Sequence, residues 1–399
     1  MGIPRLRAYR GPAILSYGFR PFFLLGSVYA AFSILLWLPI YSGQIESPSA
    51  FAPVDWHIHE MLFGYLAAII TGFLLTAIPN WTGRLPVLGL PLLALIVLWT
   101  AGRIAVFFSA AVGWRLAAVI DVSFLLAVAA AAGREIVAGR NWRNLKVLLP
   151  LMVLAAANAG FHVEAHFGGM ADISRRLGIA AAVLLISLIG GRIIPSFTRN
   201  WLVRENPGRL PAPFDRLDIA ALAISGLALA AWTLLPDSKP AGALLAAAAA
   251  AQALRLSRWA GDRTLRDPLV LILHLAYAFV PLGLGLIALS IFLPGTVPVA
   301  AGLHALGGGA IGSMTLAVMT RATLGHTGRE LKAGKAELFV FASILLAATC
   351  RIVAAFAPHL EAIEFAGLLW VAAFAGFAAA YGPALVRPKL GKERTPTAG

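Results

Sequence analysis

The sequence predicts an all-α, polytopic membrane protein with twelve transmembrane helices, on three observations. First, 60% of its 399 residues are hydrophobic and the mean hydropathy is +0.83, whereas a soluble domain stays near half apolar. Second, the apolar residues gather into segments of about 20, the length that crosses a hydrocarbon layer. Third, the cations are sorted by connection. Of 32 Lys and Arg, 25 lie in the N-terminus, the even-numbered connections and the C-terminus. Four (Arg115, Arg175, Arg176, Lys239) lie in odd-numbered connections or the span ends that border them, and three (Arg103, Arg192, Arg351) fall well inside spans. Cytoplasmic loops carry the excess of Lys and Arg, so both termini are expected in the cytoplasm. The net charge of +14 therefore reads as topology and not as nucleic-acid binding. An odd number of spans would break the alternation.

The elements follow in order. Span one, about 22–40, comes after Arg5, Arg7, Arg10 and Arg20. It is too long for the apolar core of a cleavable signal peptide and reads as a retained helix. Span two, 56–78, opens on Trp56-His57-Ile58-His59-Glu60-Met61, with Asp55 as its expected N-cap. Spans three (86–108) and four (112–132) carry Arg103 and Asp121. Span five, 145–166, ends on His162, Glu164 and His166, and span six covers 174–196. Span seven, 217–235, has no histidine; span eight, 241–257, is Ala-rich and has the faintest pattern. Spans nine (268–293) and ten (297–320) carry His274 and His304. Spans eleven (336–357) and twelve (362–385) complete the set, and 391–399 reads as a disordered cytoplasmic tail. The single cysteine, Cys350, lies in a span, which removes disulfides, a structural Cys-zinc site and covalent haem attachment. No Walker motif, phosphate-binding glycine loop or nucleophile elbow is present.

Parts of the chain repeat. His304 follows His59 by 245 residues, and Gly309 follows Gly64 by the same interval. Thr82-Gly83-Arg84 and Thr327-Gly328-Arg329 stand 23 residues after the two histidines. Arg103 and Arg351 are 248 apart. Ile194-Pro195-Ser196-Phe197-Thr198 echoes Ile78-Pro79-Asn80-Trp81-Thr82 more faintly. The expected organisation is one membrane domain of three four-helix units, about 18–143, 144–266 and 267–390, with spans two, six and ten as equivalents. Such repeats commonly surround a central site in membrane proteins.

Topology turns the histidines into a map. His57, His59, His162, His166, His304 and His359 fall in the outer half, while His274 and His326 lie toward the cytoplasm. Polar residues within spans are costly and face a protein interior or cavity. A lone histidine there is as often a packing residue as a ligand, but six at one depth point to a metal or haem. The repeat-related His59 and His304 are the expected axial pair of a haem iron. His162 and His166 are i and i+4 and share a helix face. His57 and His59 are i and i+2, ~200° apart, so one helix would serve two sites, one on each side. His57 is also read as an interface residue beside Trp56. Arg103 and Arg351 suit the carboxylates of a bound haem. An ion pair with Glu60, Glu164 or Asp121 serves as well. Glu60 and Glu164 would orient a ligand imidazole or carry protons. Asp121, with no obvious local partner, would be neutral if protonated.

Several of these segments resemble the NnrS family. They are Gly18-Phe19-Arg20-Pro21-Phe22-Phe23, the His57–Met61 motif, and Phe73-Leu74-Leu75-Thr76-Ala77 running into Ile78-Pro79-Asn80-Trp81-Thr82-Gly83. Leu303-His304-Ala305-Leu306 and Met319-Thr320-Arg321-Ala322-Thr323-Leu324-Gly325-His326-Thr327-Gly328-Arg329 add to them. The resemblance covers nearly the whole chain. It implies a twelve-span bacterial inner-membrane protein that contains haem and copper and is linked to denitrification and nitric oxide tolerance. It also implies that His57, His59, Glu60, His162, His274, His304 and His326 belong to the family's shared pattern, which His166 and His359 fit less well. A weaker architectural likeness to haem-copper oxidases and nitric oxide reductases rests on histidines in spans two and ten; span seven lacks the histidines those enzymes use.

The resulting expectation is a haem b held by His59 and His304, with copper or a second haem near His57, His162 and His166. His274 and His326 are candidates for a further haem site. Nitric oxide is the expected ligand or substrate, with possible reduction to N2O on electrons from quinol or a donor protein. A scavenger or sensor without turnover, and a transporter of metal or small molecules, are the alternatives.

Overall fold

The structure, a computed structural model, describes residues 9–390, so the expected tail at 391–399 lies outside the described residues. It is 81% helical without strands among the described residues. The long helices are α1 (Phe19–Tyr41), α2 (Pro53–Thr82), α3 (Leu90–Phe107), α4 (Trp114–Ala138), α5 (Leu148–Gly168) and α6 (Asp172–Glu205). They continue as α7 (Arg216–Leu234), α8 (Lys239–Ser257), α9 (Pro268–Phe292), α10 (Val299–Thr327), α11 (Lys335–Phe356) and α12 (Leu360–Val386). Eleven of them are long and apolar enough to cross a membrane. The exception is α8, the Ala-rich segment. It is a full helix with Ser238 capping its first turn, but Lys239, Arg255 and many alanines lower its hydropathy.

Consecutive helices pack side by side, and α12 returns to α1. Trp370 Nε1 donates to Ala30 O across that closure at 3.0 Å. Arg20 at the start of α1 donates to the carbonyls of Leu385 (2.9 Å) and Arg387 (2.7 Å), so the two described ends of the chain meet on one side.

The three most buried spans are α2 (78%), α10 (72%) and α6 (61%), the helices expected from the sequence to be equivalent. They meet around a small apolar cavity lined by Leu66, Ile69, Leu185, Ile189, Met314 and Val318. Tyr65 on α2 hydrogen-bonds Thr315 on α10.

Local features recur in α2 and α10. Each passes into a π-helical stretch directly after a histidine, Glu60–Leu66 after His59 and Ala305–Gly312 after His304. Such stretches gather at functional sites, because the extra residue per turn re-aims side chains. Each helix then stops at the glycine of its Thr-Gly-Arg triplet. Gly83 (φ 67°) and Gly328 (φ 78°) take the left-handed conformation that ends a helix without a Cβ clash. Pro53 opens α2 at its first position, where the missing N–H costs nothing. Asp55 therefore lies inside the first turn, not at the N-cap expected from the sequence. His57 and His59 are both helical, as that expectation required.

Candidate metal centre and the two faces of the second span

His59 leaves α2 toward α4 and α5. Its Nε2 lies 3.2 Å from Asp121 Oδ2 on α4 and 3.0 Å from Asn158 Oδ1 on α5. His162, one turn after Asn158, places its Nε2 3.1 Å from the same Asp121 oxygen. His59, Asp121 and His162 thus bring one donor atom each within 4.8 Å of one another, and all three residues are buried.

The surroundings decide what these atoms can do. Glu60 Oε1 lies 2.9 Å from His59 Nδ1. A proton held on Nδ1 by Glu60 leaves a lone pair on Nε2, the arrangement in which a carboxylate orients a metal-ligating imidazole. That lone pair faces the carboxylate of Asp121. A proton, a metal ion or a reoriented Asn158 amide is needed between them, and Asn158 Nδ2 is itself buried without a partner. Two imidazoles and one carboxylate suit copper, zinc or iron, and the carboxylate makes the set harder than an all-imidazole Cu(I) site.

Arg103 closes the cluster from α3. Its Nη1 donates to both Glu60 oxygens at 2.7 and 2.6 Å, and its Nη2 pairs with Asp121 Oδ1. Tyr29 from α1 donates its hydroxyl to Glu60 as well. The guanidinium crosses α2 at Gly64, where an added Cβ would sit 2.9 Å from Nη1 and 2.7 Å from Glu60 Oε2. Phe51, Phe63 and Phe161 surround the imidazoles, with ring centroids 5.0 to 5.2 Å from His59. They seal the cluster from solvent and strengthen every charge interaction inside it.

The opposite face of α2 carries His57. Its ring stacks on Trp37 with centroids 4.4 Å apart, and its Nδ1 is buried without a partner. His304 and Arg351 are close enough for their charges to act on it. His304 Nδ1 lies 2.8 Å from the Ala300 carbonyl, which accepts a hydrogen bond from Nδ1–H and so leaves the Nε2 lone pair free to bind a ligand. Arg351 has no carboxylate in ion-pair reach among the described residues.

The structure therefore distributes the expected residues differently from the sequence map. His59 joins Asp121 and His162, while His57, on the other side of the helix, is the one with His304 in its neighbourhood. Arg103, expected on a haem carboxylate, is occupied by Glu60 and Asp121, the ion-pair alternative. His166 turns away from His162 and stacks on Trp114 at 4.4 Å. Glu164 accepts from Ile173 N and from the N–H and hydroxyl of Ser174, which caps the start of α6. His274 contacts Thr198 at 2.8 Å, whereas His326 packs on Tyr17 and Phe19. These two histidines thus keep separate neighbours.

Sequence reasoning missed two residues. Asp121 was considered only as an ion-pair partner for Arg103 and not as a metal ligand, although it is the hub of the cluster. The signal was Arg103, an intramembrane cation one span away that needs a buried anion. Asn158 was passed over although it stands at i−4 from His162, on the same helix face.

Fold and site together define a multi-pass α-helical membrane protein with a buried histidine–carboxylate cluster able to hold a metal ion. The family model described as NnrS protein matches residues 13–389, and the chain belongs to that family. Membership links it to nitric oxide and to metal and haem binding. No curated protein matches the chain.

Proposed function

We propose that the protein handles nitric oxide at two centres on opposite faces of α2, in a bacterial inner membrane. One is a metal ion, copper by the family's pattern, held by His59, Asp121 and His162. The other is a haem b held by His57 and His304, with Arg351 pairing a haem carboxylate. The observation that carries this reading is the convergence of the three buried donor atoms of His59, Asp121 and His162. The free imidazole nitrogens of His57 and His304 beside an unpaired Arg351 support the second centre. We read His57 and not His59 as the partner of His304, because the ring nitrogens of His59 already have Glu60 on Nδ1 and Asn158 and Asp121 on Nε2.

When bound, such metals supply redox-active ions that ligate nitric oxide. The chain's own residues supply the setting. Glu60 holds the proton on His59 Nδ1 and so fixes which nitrogen faces the metal. Arg103 pairs with both Glu60 and Asp121 and so offsets their charge where no solvent reaches. Tyr29, Glu60 and His59 form a hydrogen-bonded line that can pass a proton toward the cluster. The phenylalanine wall excludes water from it.

Coupling two NO to N2O and water takes two electrons and two protons, with the electrons drawn from quinol or a donor protein. Anaerobic NO consumption by the purified protein with a reductant tests the proposal. Sustained consumption that falls in Asp121→Asn, with haem content retained, is the expected result. Stoichiometric NO uptake that stops after one equivalent would assign the chain to scavenging or sensing. Protein free of metal and haem, with substrate-dependent flux in liposomes, would overturn the reading in favour of transport.

A further inference from the structure

A second cavity has none of the histidines in its lining. It is a cleft of ≈ 1110 Å3 between the α4–α5 connection, the C-terminal half of α6, the α6–α7 connection and the start of α7. Arg143, Lys146, Arg192 and Arg199 line it, all four exposed and none in an ion pair among the described residues. The one acid on its wall, Asp218, is already engaged by Arg255 at 2.7 Å and Arg258 at 3.8 Å. Leu188, Leu222, Phe214 and Trp259 supply apolar walls.

Depth narrows the ligand. Arg192 lies about 20 residues past Asp172, or about 30 Å along α6 at 1.5 Å per residue. That is one hydrocarbon thickness, ~30 Å, so Arg192 sits where headgroups begin and Arg199 lies within that layer. The connections on this face carry the excess of cations, which marks it as cytoplasmic. A buried cation stands behind the wall as well. Arg255 has a guanidinium nitrogen, Nη2, without a partner, and Gly191 on the cleft wall lies directly over it. A Cβ at Gly191 would meet that nitrogen at 2.0 Å, so only glycine lets α6 pass.

We propose that this cleft binds an anionic phosphate-bearing ligand, with four cations around the phosphate and the apolar wall against the remainder. Unpaired cations at headgroup depth beside apolar surface match an anionic phospholipid of the inner leaflet. A soluble phosphate ester would use the same cations.

The test uses the full chain purified in detergent, with native mass spectrometry and thermal melts in the presence of phosphatidylglycerol, phosphatidylcholine or inorganic phosphate. Wild type is expected to retain phosphatidylglycerol over phosphatidylcholine and to melt higher with it. Arg192→Gln/Arg199→Gln lowers that affinity by about thirtyfold, or ~2 kcal/mol for two cations near the surface. Stabilisation by inorganic phosphate, with no preference between the lipids, would keep the phosphate site and assign it to a soluble ligand. Absence of both effects in wild type overturns the proposal, as does a folded double variant that keeps the lipid preference. Should the variant not fold, wild-type retention that is insensitive to rising salt overturns it too, because cation–headgroup attraction is screened.

Discussion

The unit built from α2, α3 and α4 and the unit built from α10, α11 and α12 place matching parts in matching positions and do different chemistry with them. Each has a histidine followed by a π-helical stretch, and each has an arginine near the end of its next helix. In the first unit Glu60 follows the histidine and Asp121 stands on the following span, and together they occupy Arg103. In the second unit the residue after His304 is Ala305, no carboxylate reaches Arg351, and the guanidinium stays free. One arginine is an internal counter-ion that assembles a cluster; the other is available to a ligand's anion. The difference lies in two carboxylates and not in the helix framework.

The sharpest way to break this contrast is to remove each arginine in turn. Arg103→Gln strands two buried carboxylates and should cost about 3–5 kcal/mol, read as a large drop in melting temperature. Arg351→Gln should leave the melt of haem-free protein nearly unchanged and weaken haem retention. Equal losses from both would show that the two arginines play the same part.

The histidines offer the next contrast. His57→Ala and His304→Ala should lose haem absorbance while metal content by elemental analysis persists, and His162→Ala should do the reverse. Haem lost from His59→Ala but not from His57→Ala would restore the pairing that the repeat suggests.

Smaller effects follow from Glu60 and Glu164, two carboxylates beside histidines in the sequence. Glu60→Gln keeps the shape but weakens the hold on His59 Nδ1, and metal affinity should fall about 10–100-fold by titration with a competing chelator. Glu164→Gln removes only a helix cap, worth about 1 kcal/mol of stability, with metal and haem retained. A metal loss in Glu164→Gln would bring that residue back into the centre.

Much of this was legible from residues alone. Twelve membrane spans were expected; the described residues form twelve long helices, of which eleven are long and apolar enough to cross a membrane. The faintest segment, α8, is the one that falls short. Arg255 explains why its pattern is faint. It is fully buried against Asp218, the Ser187 carbonyl and the Tyr277 hydroxyl, partners contributed by three other helices. The opposite facing of His57 and His59 was also legible, since it follows from helical pitch. What each face meets was not.

The sequence by itself determined the helices, their approximate positions and the presence of costly polar groups among them. Hydropathy, the Thr-Gly-Arg stops and the sorted charges act over one helix or one connection, so they can be read in order along the chain. Tertiary structure alone decided the pairing. Asp121 meets His59 and His162 because α4 and α5 pack beside α2, and Arg103 reaches over Gly64 because that position has no side chain. In a low-dielectric interior each buried charge is stable only with its partners, and those partners come from helices far apart in sequence.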